Sequence, residues 1–354
     1  MFLRHVIAIV LTSIFVSSVP LQANADKRDR ELKVMTYNMY LGSELGEIFT
    51  AQTPTDVLLE VGEAYRDMLA GDVPARITAI ADQIEDGAPV LVGLQEVALW
   101  RTGPAFDPTL STAVTYDYLQ MLLLELDERN LHYSPIVIQT NIDAELPGIV
   151  SPTSILDIRY TDRIVILARY DLPESEFKLE ETDAGHFTDN VVVSVLGQTE
   201  TVWRGWSSAD VKFRGKPYRF VNAHLESFSD FIQQRQAEEL AGLTETSESA
   251  LILVGDFNSD AATDGVSYRT LIDSGLTEVW SATNPTSPGF TWALSGEIPS
   301  NEMTPTQRLD LILARGPLRF SSSDVVGEEA DDKTPLGFRP SDHAGVIASL
   351  VLEP

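Results

Sequence analysis

The chain contains no cysteine. That excludes a disulfide framework, thiol catalysis and thiolate-ligated zinc. Basic residues are scarce: 25 Lys and Arg stand against 53 Asp and Glu, a formal charge of −28. Such a balance speaks against any function that rests on a broad basic surface. Long apolar runs are missing beyond the N-terminus, so no membrane-spanning helix is expected, a span requiring about 20 apolar residues. The 22 Gly and 19 Pro follow no period, and there is no internal repeat, low-complexity tract or interdomain linker. Collagen-like structure is thereby excluded.

What is present is globular in kind: 44% hydrophobic and 22% charged residues over a length of 354. That is ample for a sizeable core, in one large α/β domain or two smaller ones. Stability must come from that core and from any bound metal. The start, Met1-Phe2-Leu3-Arg4-His5, is basic, residues 6–16 are apolar but too few to span, and Ala23-Asn24-Ala25 has a small-x-small pattern. This reads as a signal peptide over 1–25, cleaved after Ala25, with one exported (secreted or periplasmic) domain over 26–354. The alternative is an uncleaved anchor. Loss of Arg4 takes the net charge from −28 to −29.

From residue 32 onward, apolar runs of strand length alternate with helical stretches. Strands are predicted over 32–37, 90–94, 132–139, 163–168, 191–196, 203–206, 209–213, 218–222, 251–254, 309–314, 318–326 and 345–352. Helices are predicted over 54–70, 74–85 (Ile77, Ile80 and Ile84 on one face), 116–129 and 230–243, the last with an Asp or Ser cap. The rest of 140–190, including the acidic stretch 174–189, reads as loop or an excursion at the edge of the fold. The mixture predicts two sheets packed face to face with helices outside.

Six apolar segments end in, or lead out of, the same few residue types. Met35-Thr36-Tyr37 ends at Asn38, and Gly93-Leu94 runs into Gln95-Glu96. Asn222-Ala223 ends at His224, Gly255 delivers Asp256-Phe257-Asn258, Arg308-Leu309-Asp310 opens a strand, and Ser341-Asp342-His343 precedes the last one. Singly, an Asn or Asp at a strand end is a turn residue bonding its own backbone. Six such endings in one chain weaken that reading. Brought together, Glu96, Asp256, Asp310 and Asp342 would crowd four carboxylates into one pocket, which calls for a cation to offset them. Sets of Asp, Glu and Asn oxygens suit Mg²⁺ or Mn²⁺, with Ca²⁺ also compatible. His224 and His343 beside the ion would supply acid–base groups near neutral pH. The combination suits hydrolysis of a phosphate ester, with ion and donors stabilising the transition-state charge.

These six segments, in this order, resemble the endonuclease/exonuclease/phosphatase superfamily, the group of pancreatic-type deoxyribonuclease, apurinic endonucleases, bacterial neutral sphingomyelinases and inositol polyphosphate phosphatases. The likeness covers about residues 31–352. It implies an α/β fold, a four-layered α/β sandwich of two packed mixed β-sheets flanked by helices, with the site at one mouth of the sheets. It implies a metal-dependent phosphoric ester hydrolase. Glu96 would be the principal metal carboxylate, helped by Asn38 and Asp342. Asp256 would orient or activate the attacking water, and Asn258 would hold a phosphate oxygen. His343, paired with Asp310, would contact the phosphate and move a proton or stabilise charge. His224 would be the second phosphate-contacting histidine or the general acid; which histidine does which stays open. Some relatives carry an acidic residue two positions after the first Asn, where this chain has Tyr40, so a one-metal site is favoured. Arg163 lies where relatives place a substrate-facing residue, and Arg forks onto phosphate oxygens; the plain alternative is a surface salt bridge with Asp162 or another acid.

Substrate identity does not follow from fold and chemistry. A phosphodiesterase is the main reading. A secreted nuclease (DNA or RNA) is disfavoured by charge unless Arg204, Lys212, Arg214, Lys216 and Arg219 form a local basic face; alternatively they are solvated strand edges. A sphingomyelinase-like phospholipid hydrolase would need apolar residues at the mouth, for which Phe228-Ser229-Asp230-Phe231 is a weak candidate. A non-catalytic exported binding module is the rival of another class; it would be expected to have lost Glu96, Asp256, His224 or His343, and all four are there. His132 reads as structural, His186 as a solvated loop residue, and Trp203 and Trp206 as core. A monomer is expected.

Overall fold

The computed structural model describes residues 31–195, 197–245, 249–292 and 304–353. The expected signal peptide, with its cleavage point at Ala25, lies outside them, as does residue 196 of the predicted 191–196 strand.

The chain opens with β1 (Leu32–Asn38) and a short α1 (Gly46–Thr50). Next comes α2 (Pro54–Ala70), which starts on a capping box: the Thr53 hydroxyl accepts from the Asp56 amide and the Asp56 carboxylate from the Thr53 amide. Then follow α3 (Val73–Gly87), β2 (Leu91–Gln95), β3 (Leu99–Pro104), β4 (Ala113–Asp117), α4 (Tyr118–Glu128), β5 (Tyr133–Ser151) and β6 (Ser154–Arg169). The middle of the chain is strand-rich: β7 (Phe177–His186), β8 (Val191–Val195), β9 (Gln198–Val202), β10 (Gly205–Phe213) and β11 (Lys216–His224). The last part holds α5 (Asp230–Glu245), β12 (Ala250–Asp256), α6 (Val266–Asp273), β13 (Thr277–Glu278), α7 (Val279–Thr283), β14 (Asp310–Arg315), β15 (Leu318–Val326) and β16 (Gly345–Leu352).

One sheet runs β15-β16-β1-β2-β6-β3-β4, with β5 also paired to β6; the other runs β13-β14-β12-β11-β10-β7. Both are mixed, because β1/β2 and β11/β12 are parallel within otherwise antiparallel sheets. Strand side chains alternate between faces, and the core divides accordingly. Leu32 and Val34 join Ile252, Val254 and Phe220 between the sheets. Met35 and Tyr37 join Val57, Ile77 and Leu122 under the helices α2, α3 and α4. On the far side Val221, Leu251 and Leu253 join Ala237, Leu240 and Leu271 under α5 and α6. Helix, sheet, sheet and helix layers result, as the sequence predicts. No helix among the described residues is long and apolar enough to cross a membrane.

The predicted excursion over 140–190 is a correction. β5 and β6 form one long hairpin from Tyr133↔Arg169 to Ser151↔Ser154, and the acidic stretch contributes β7, an edge strand on β10. Much of β5 and nearly all of β7 is exposed or half-exposed, so the apolar alternation that marks a strand is weak there. The charged edge also discourages pairing with another chain. The helix predicted at 116 begins at Tyr118, since Asp117 caps it by accepting from the Gln120 amide. Trp203 is 41% exposed rather than core, and its ring stacks near His186 at 4.9 Å.

Register then decides where the polar strand ends fall. The parallel pairs place Asn38 opposite Gln95 and His224 opposite Asp256, and the antiparallel β14 begins with Asp310 opposite Asp256. β16, antiparallel to β1, pairs Val346 with Thr36, so Asp342 and His343 reach the same edge. Polar cross-links hold the two sheets together just below it. Gln95 Nε2 donates to Asn222 Oδ1 (2.7 Å) and Thr36 Oγ1 (3.1 Å), while Asn222 Nδ2 donates to the Leu94 and Val165 carbonyls (3.1 Å each). Gln95 and Asn222 therefore have a binding role between sheets, not toward a substrate. Gly93 permits the close approach: a Cβ there would lie 2.5 Å from Val254 Cγ2 and 2.9 Å from Asn222 Oδ1.

Candidate active site

At this edge lies a cleft of about 330 Å³ lined by Tyr40, Glu96, Arg204, His224, Asp256 and Asn258, with Asp342 and His343 closing it. Glu96, Asn258 and Tyr40 have φ of 53°, 50° and 56°. A non-glycine residue in this left-handed region costs about 1–3 kcal/mol and clusters where geometry is functionally constrained. Gly255 makes the Asp256 corner possible: at φ 152° a Cβ would sit 2.0 Å from the Ala223 carbonyl oxygen.

The polar strand ends do make turn bonds to their own backbone, and they do so with one atom while another is left to face its neighbours across the cleft. Asp256 Oδ1 accepts from the Asn258 amide (2.9 Å), while Oδ2 faces His224 Nε2 at 3.6 Å and His343 Nε2 at 3.7 Å. Asn38 Oδ1 accepts from the Tyr40 amide (2.9 Å), while its Nδ2 donates to Glu96 Oε1 (3.0 Å) and Asp256 Oδ2 (2.9 Å). The Tyr40 amide fixes that orientation, so Asn38 spaces two carboxylates and turns its oxygen away from them. Ser341 Oγ donates to the Asn38 carbonyl (2.7 Å) and accepts from the His343 amide (3.1 Å), tying the last loop to the first.

The surroundings of the two histidines push their pKa values in opposite directions. His343 Nδ1 donates to Asp310 Oδ2 at 2.8 Å, which leaves Nε2 facing Asp256. Burial disfavours its charge, but Asp310, Asp256 and Asp342 outweigh burial and hold its pKa well above the usual histidine value. His224 is buried and faces Arg204, whose Nη1 lies 3.0 Å from Nδ1. An arginine can only donate. Burial first, and then the guanidinium, keep His224 neutral, its pKa far below the usual value.

The carboxylates show the strain expected of a cation site. Burial, and then Asp342, push Glu96 up to about 7; burial likewise raises Asp342. Asp310 is pushed up to about 6 by burial, with Asp256 adding, although His343 pulls the other way. Glu96 is held by the Asn38 amide group and, through Oε2, by the Leu41 amide (2.8 Å). Crowded, partly neutralised carboxylates of this kind fit a hard divalent cation. Glu96 and Asp342 line the cleft, and among the described residues neither has a histidine ion pair, whereas Asp256 lies within 4 Å of both His224 and His343. Asp256, Asp310 and His343 each offer an atom within 4.8 Å of the others, but Asp310 and His343 are already bonded to one another.

Arg163 goes elsewhere. Its guanidinium donates to the Val97 and Ala98 carbonyls and to Asp117 (2.6 Å), so it makes a salt bridge, with Asp117 rather than Asp162 as partner and buried rather than at the surface. The predicted basic face does not gather at the mouth either. Lys212, Arg214 and Arg219 pair with Glu180, Glu176 and Asp210, and Lys216 donates to the Leu352 carbonyl. Arg204 alone of that group reaches the cleft.

Sequence reasoning missed the roles of Arg204, Glu226 and Arg76. Glu226 is fully buried with Oε1 accepting from the Ser227 and Phe228 amides, and its Oε2 is 4.0 Å from Arg204 Nε. Arg76, buried on α3, donates to the Met39, Tyr40 and Pro340 carbonyls, joining the loops that carry Asn38 and Asp342. Its guanidinium also lies over the Tyr40 ring at 4.9 Å. The only signal was a lone Arg amid an apolar stretch. His132 sits half-exposed against Tyr170, and His186 bonds the Thr140 carbonyl at 2.8 Å; neither lines the cleft.

The model of the Endonuclease/Exonuclease/phosphatase family matches residues 35–343. No curated protein matches the chain. Among solved structures, an endonuclease/exonuclease/phosphatase family protein of Bacteroides thetaiotaomicron is 17% identical, with 92% of this chain and 98% of that chain covered and a TM-score of 0.58. The mannosyl-6-phosphatase of the same organism is 18% identical, with 90% and 99% covered and a TM-score of 0.55. TDP2 of D. rerio, complexed with single strand DNA product, is 17% identical, with 90% and 98% covered and a TM-score of 0.53. At these identities the likeness is one of fold.

Proposed function

Since the chain belongs to the endonuclease/exonuclease/phosphatase family and is a hydrolase of phosphate esters, we propose that it is a divalent-metal-dependent phosphodiesterase, exported as its N-terminus implies. The observation that carries the reading is Asp256 Oδ2 standing 3.6 Å and 3.7 Å from the Nε2 atoms of His224 and His343, with Asp310 fixing His343 at 2.8 Å.

Glu96 and Asp342 would hold the cation, with Mg²⁺ or Mn²⁺ fitting their oxygens. When bound, it would supply positive charge beside the non-bridging phosphate oxygens. Asp256, pinned by the Asn38 and Asn258 donors, orients the water and takes its proton as the water oxygen bonds to phosphorus. The phosphorus–oxygen bond to the leaving group breaks, and that oxygen takes a proton from the His343 imidazolium. Asp310 holds the proton-bearing tautomer. Asn258 and the neutral His224 bond phosphate oxygens, and Arg204 adds charge behind His224. Among the neighbours of like fold are a mannosyl-6-phosphatase and a TDP2 complexed with single strand DNA product. Pairing of the cationic side chains on β10 and β11 with acids disfavours nucleic acid.

The test is hydrolysis of bis(4-nitrophenyl) phosphate, 4-nitrophenyl phosphate, plasmid DNA and RNA, each with Mg²⁺, Mn²⁺ or EDTA. The reading expects metal-dependent turnover of the aryl diester. Turnover of the monoester alone, or undiminished turnover in EDTA, would sink it.

A further inference from the structure

A second hollow, of about 570 Å³, adjoins the catalytic cleft. Phe49, Ile142 and Val202 line both. Past them its walls are chiefly Val57 and Leu58 of α2, Leu146 of β5 and Val193 of β8. Its volume is that of ordinary ligand pockets, about 300–1,000 Å³. The charged residues that line it are all acidic: Asp143, Glu145 and Glu200. Asp143 is engaged by Arg101 and Arg159, and Glu145 accepts from the Ser111 amide. No Lys, Arg or His among the described residues lines it. The next phosphate of a polynucleotide would therefore face carboxylates there, whereas an uncharged chain would face Phe, Leu, Ile and Val. The apolar wall continues at the mouth of the cleft, where Phe228, 55% exposed, meets Phe49 edge-on with centroids 5.9 Å apart. Exposed large apolar side chains beside a site mark a contact surface.

Resting on the phosphodiesterase reading, we propose that the substrate is an amphiphilic phosphodiester: its phosphate lies in the cleft and its uncharged alkyl or acyl chain seats in this adjoining hollow. The occupant is a single molecule rather than a membrane surface, which a net charge of −28 does not favour where the lipids are anionic.

Full burial of one methylene favours binding by about fourfold. In a series of 4-nitrophenyl alkyl phosphate diesters, held below micelle-forming concentration, kcat/KM is expected to rise at least tenfold from methyl to butyl and further to octyl. Val193→Asp and Leu58→Glu, on two different walls, are each expected to flatten that rise within the variant's own series, and thermal melts report whether each folds. Calorimetry of methyl phosphate against octyl phosphate reads the seat without turnover, and octyl phosphate is expected to bind at least tenfold tighter. If no diester is hydrolysed, the phosphodiesterase reading fails while calorimetry still decides the seat. Equal kcat/KM across the series, equal affinity of the two phosphates, or a chain-length gain only with vesicles would overturn the proposal.

Discussion

Replacing Asp310 by Asn tests the dyad with almost no change of shape. Asp310 is 1% exposed, its Oδ2 meets His343 Nδ1 at 2.8 Å, and its Oδ1 has no hydrogen-bond partner among the described residues. A hydrogen bond to a charged group contributes about 1.5–3 kcal/mol, so losing it from a transition state that needs the imidazolium costs roughly 10- to 150-fold in kcat. Loss of the fixed tautomer carries the drop toward about 10⁴-fold, as in the serine-protease triad. Stability should respond differently. Burial and Asp256 raise the Asp310 carboxyl to about 6, so its buried charge works against the fold at neutral pH. Asn removes the disfavoured buried charge while giving up the charged bond to His343, so the two effects on the fold oppose one another. Asp310→Asn should thus keep its melting temperature and lose aryl diester turnover by at least tenfold. Turnover within threefold of the native protein would refute the dyad. Joint loss of turnover and fold would make Asp310 structural.

Three further outcomes follow from the same geometry. Glu96 titrates near 7 in the folded protein against 4.5 unfolded, so it holds a proton in the fold that the unfolded chain has lost. Its contribution to stability therefore declines as pH rises from about 4.5 to 7. In EDTA the melting temperature should fall across that window, Mg²⁺ should raise it more at pH 7.5 than at 5.5, and Glu96→Gln should lessen the fall and abolish the Mg²⁺ shift; an unchanged Mg²⁺ shift in that variant would contradict the assignment. Arg204→Met should destabilise by about 3–5 kcal/mol in urea unfolding, because it takes away the guanidinium 4.0 Å from the fully buried Glu226 carboxyl. Adding Glu226→Gln should recover much of that, and no recovery would mean that the pair is not the cause. Gly255→Ala should cost about 3 kcal/mol, since its Cβ would lie 2.0 Å from the Ala223 oxygen; a native melting temperature would show that the corner is not tight.

The site was legible because its residues sit at strand ends, where an apolar run stops at one polar type. β12 is apolar to Gly255 and then delivers Asp256 and Asn258, and such a boundary survives any error in topology. The helix over 74–85 was legible because Ile77, Ile80 and Ile84 repeat at helical spacing. β5 and β7 were not, since exposed strands carry little alternation. Arg204 and Arg163 could not be told apart in sequence. Both are lone arginines within strand-like stretches, and only the register of β10 against β11 turns the first toward His224, while Asp117 and two carbonyls take the second. The sheet cross-link by Gln95 and Asn222 was hidden for a related reason: residues beside a site share its signature while facing another way.

Diffraction from a crystal grown with Mn²⁺ and inorganic phosphate, with the anomalous signal of manganese recorded, tests the central claim most directly. The account predicts a peak against the Glu96 and Asp342 carboxylates, with phosphate between it and Asn258, His224 and His343. A peak confined to surface carboxylates, or phosphate bound away from Asp256, would contradict it.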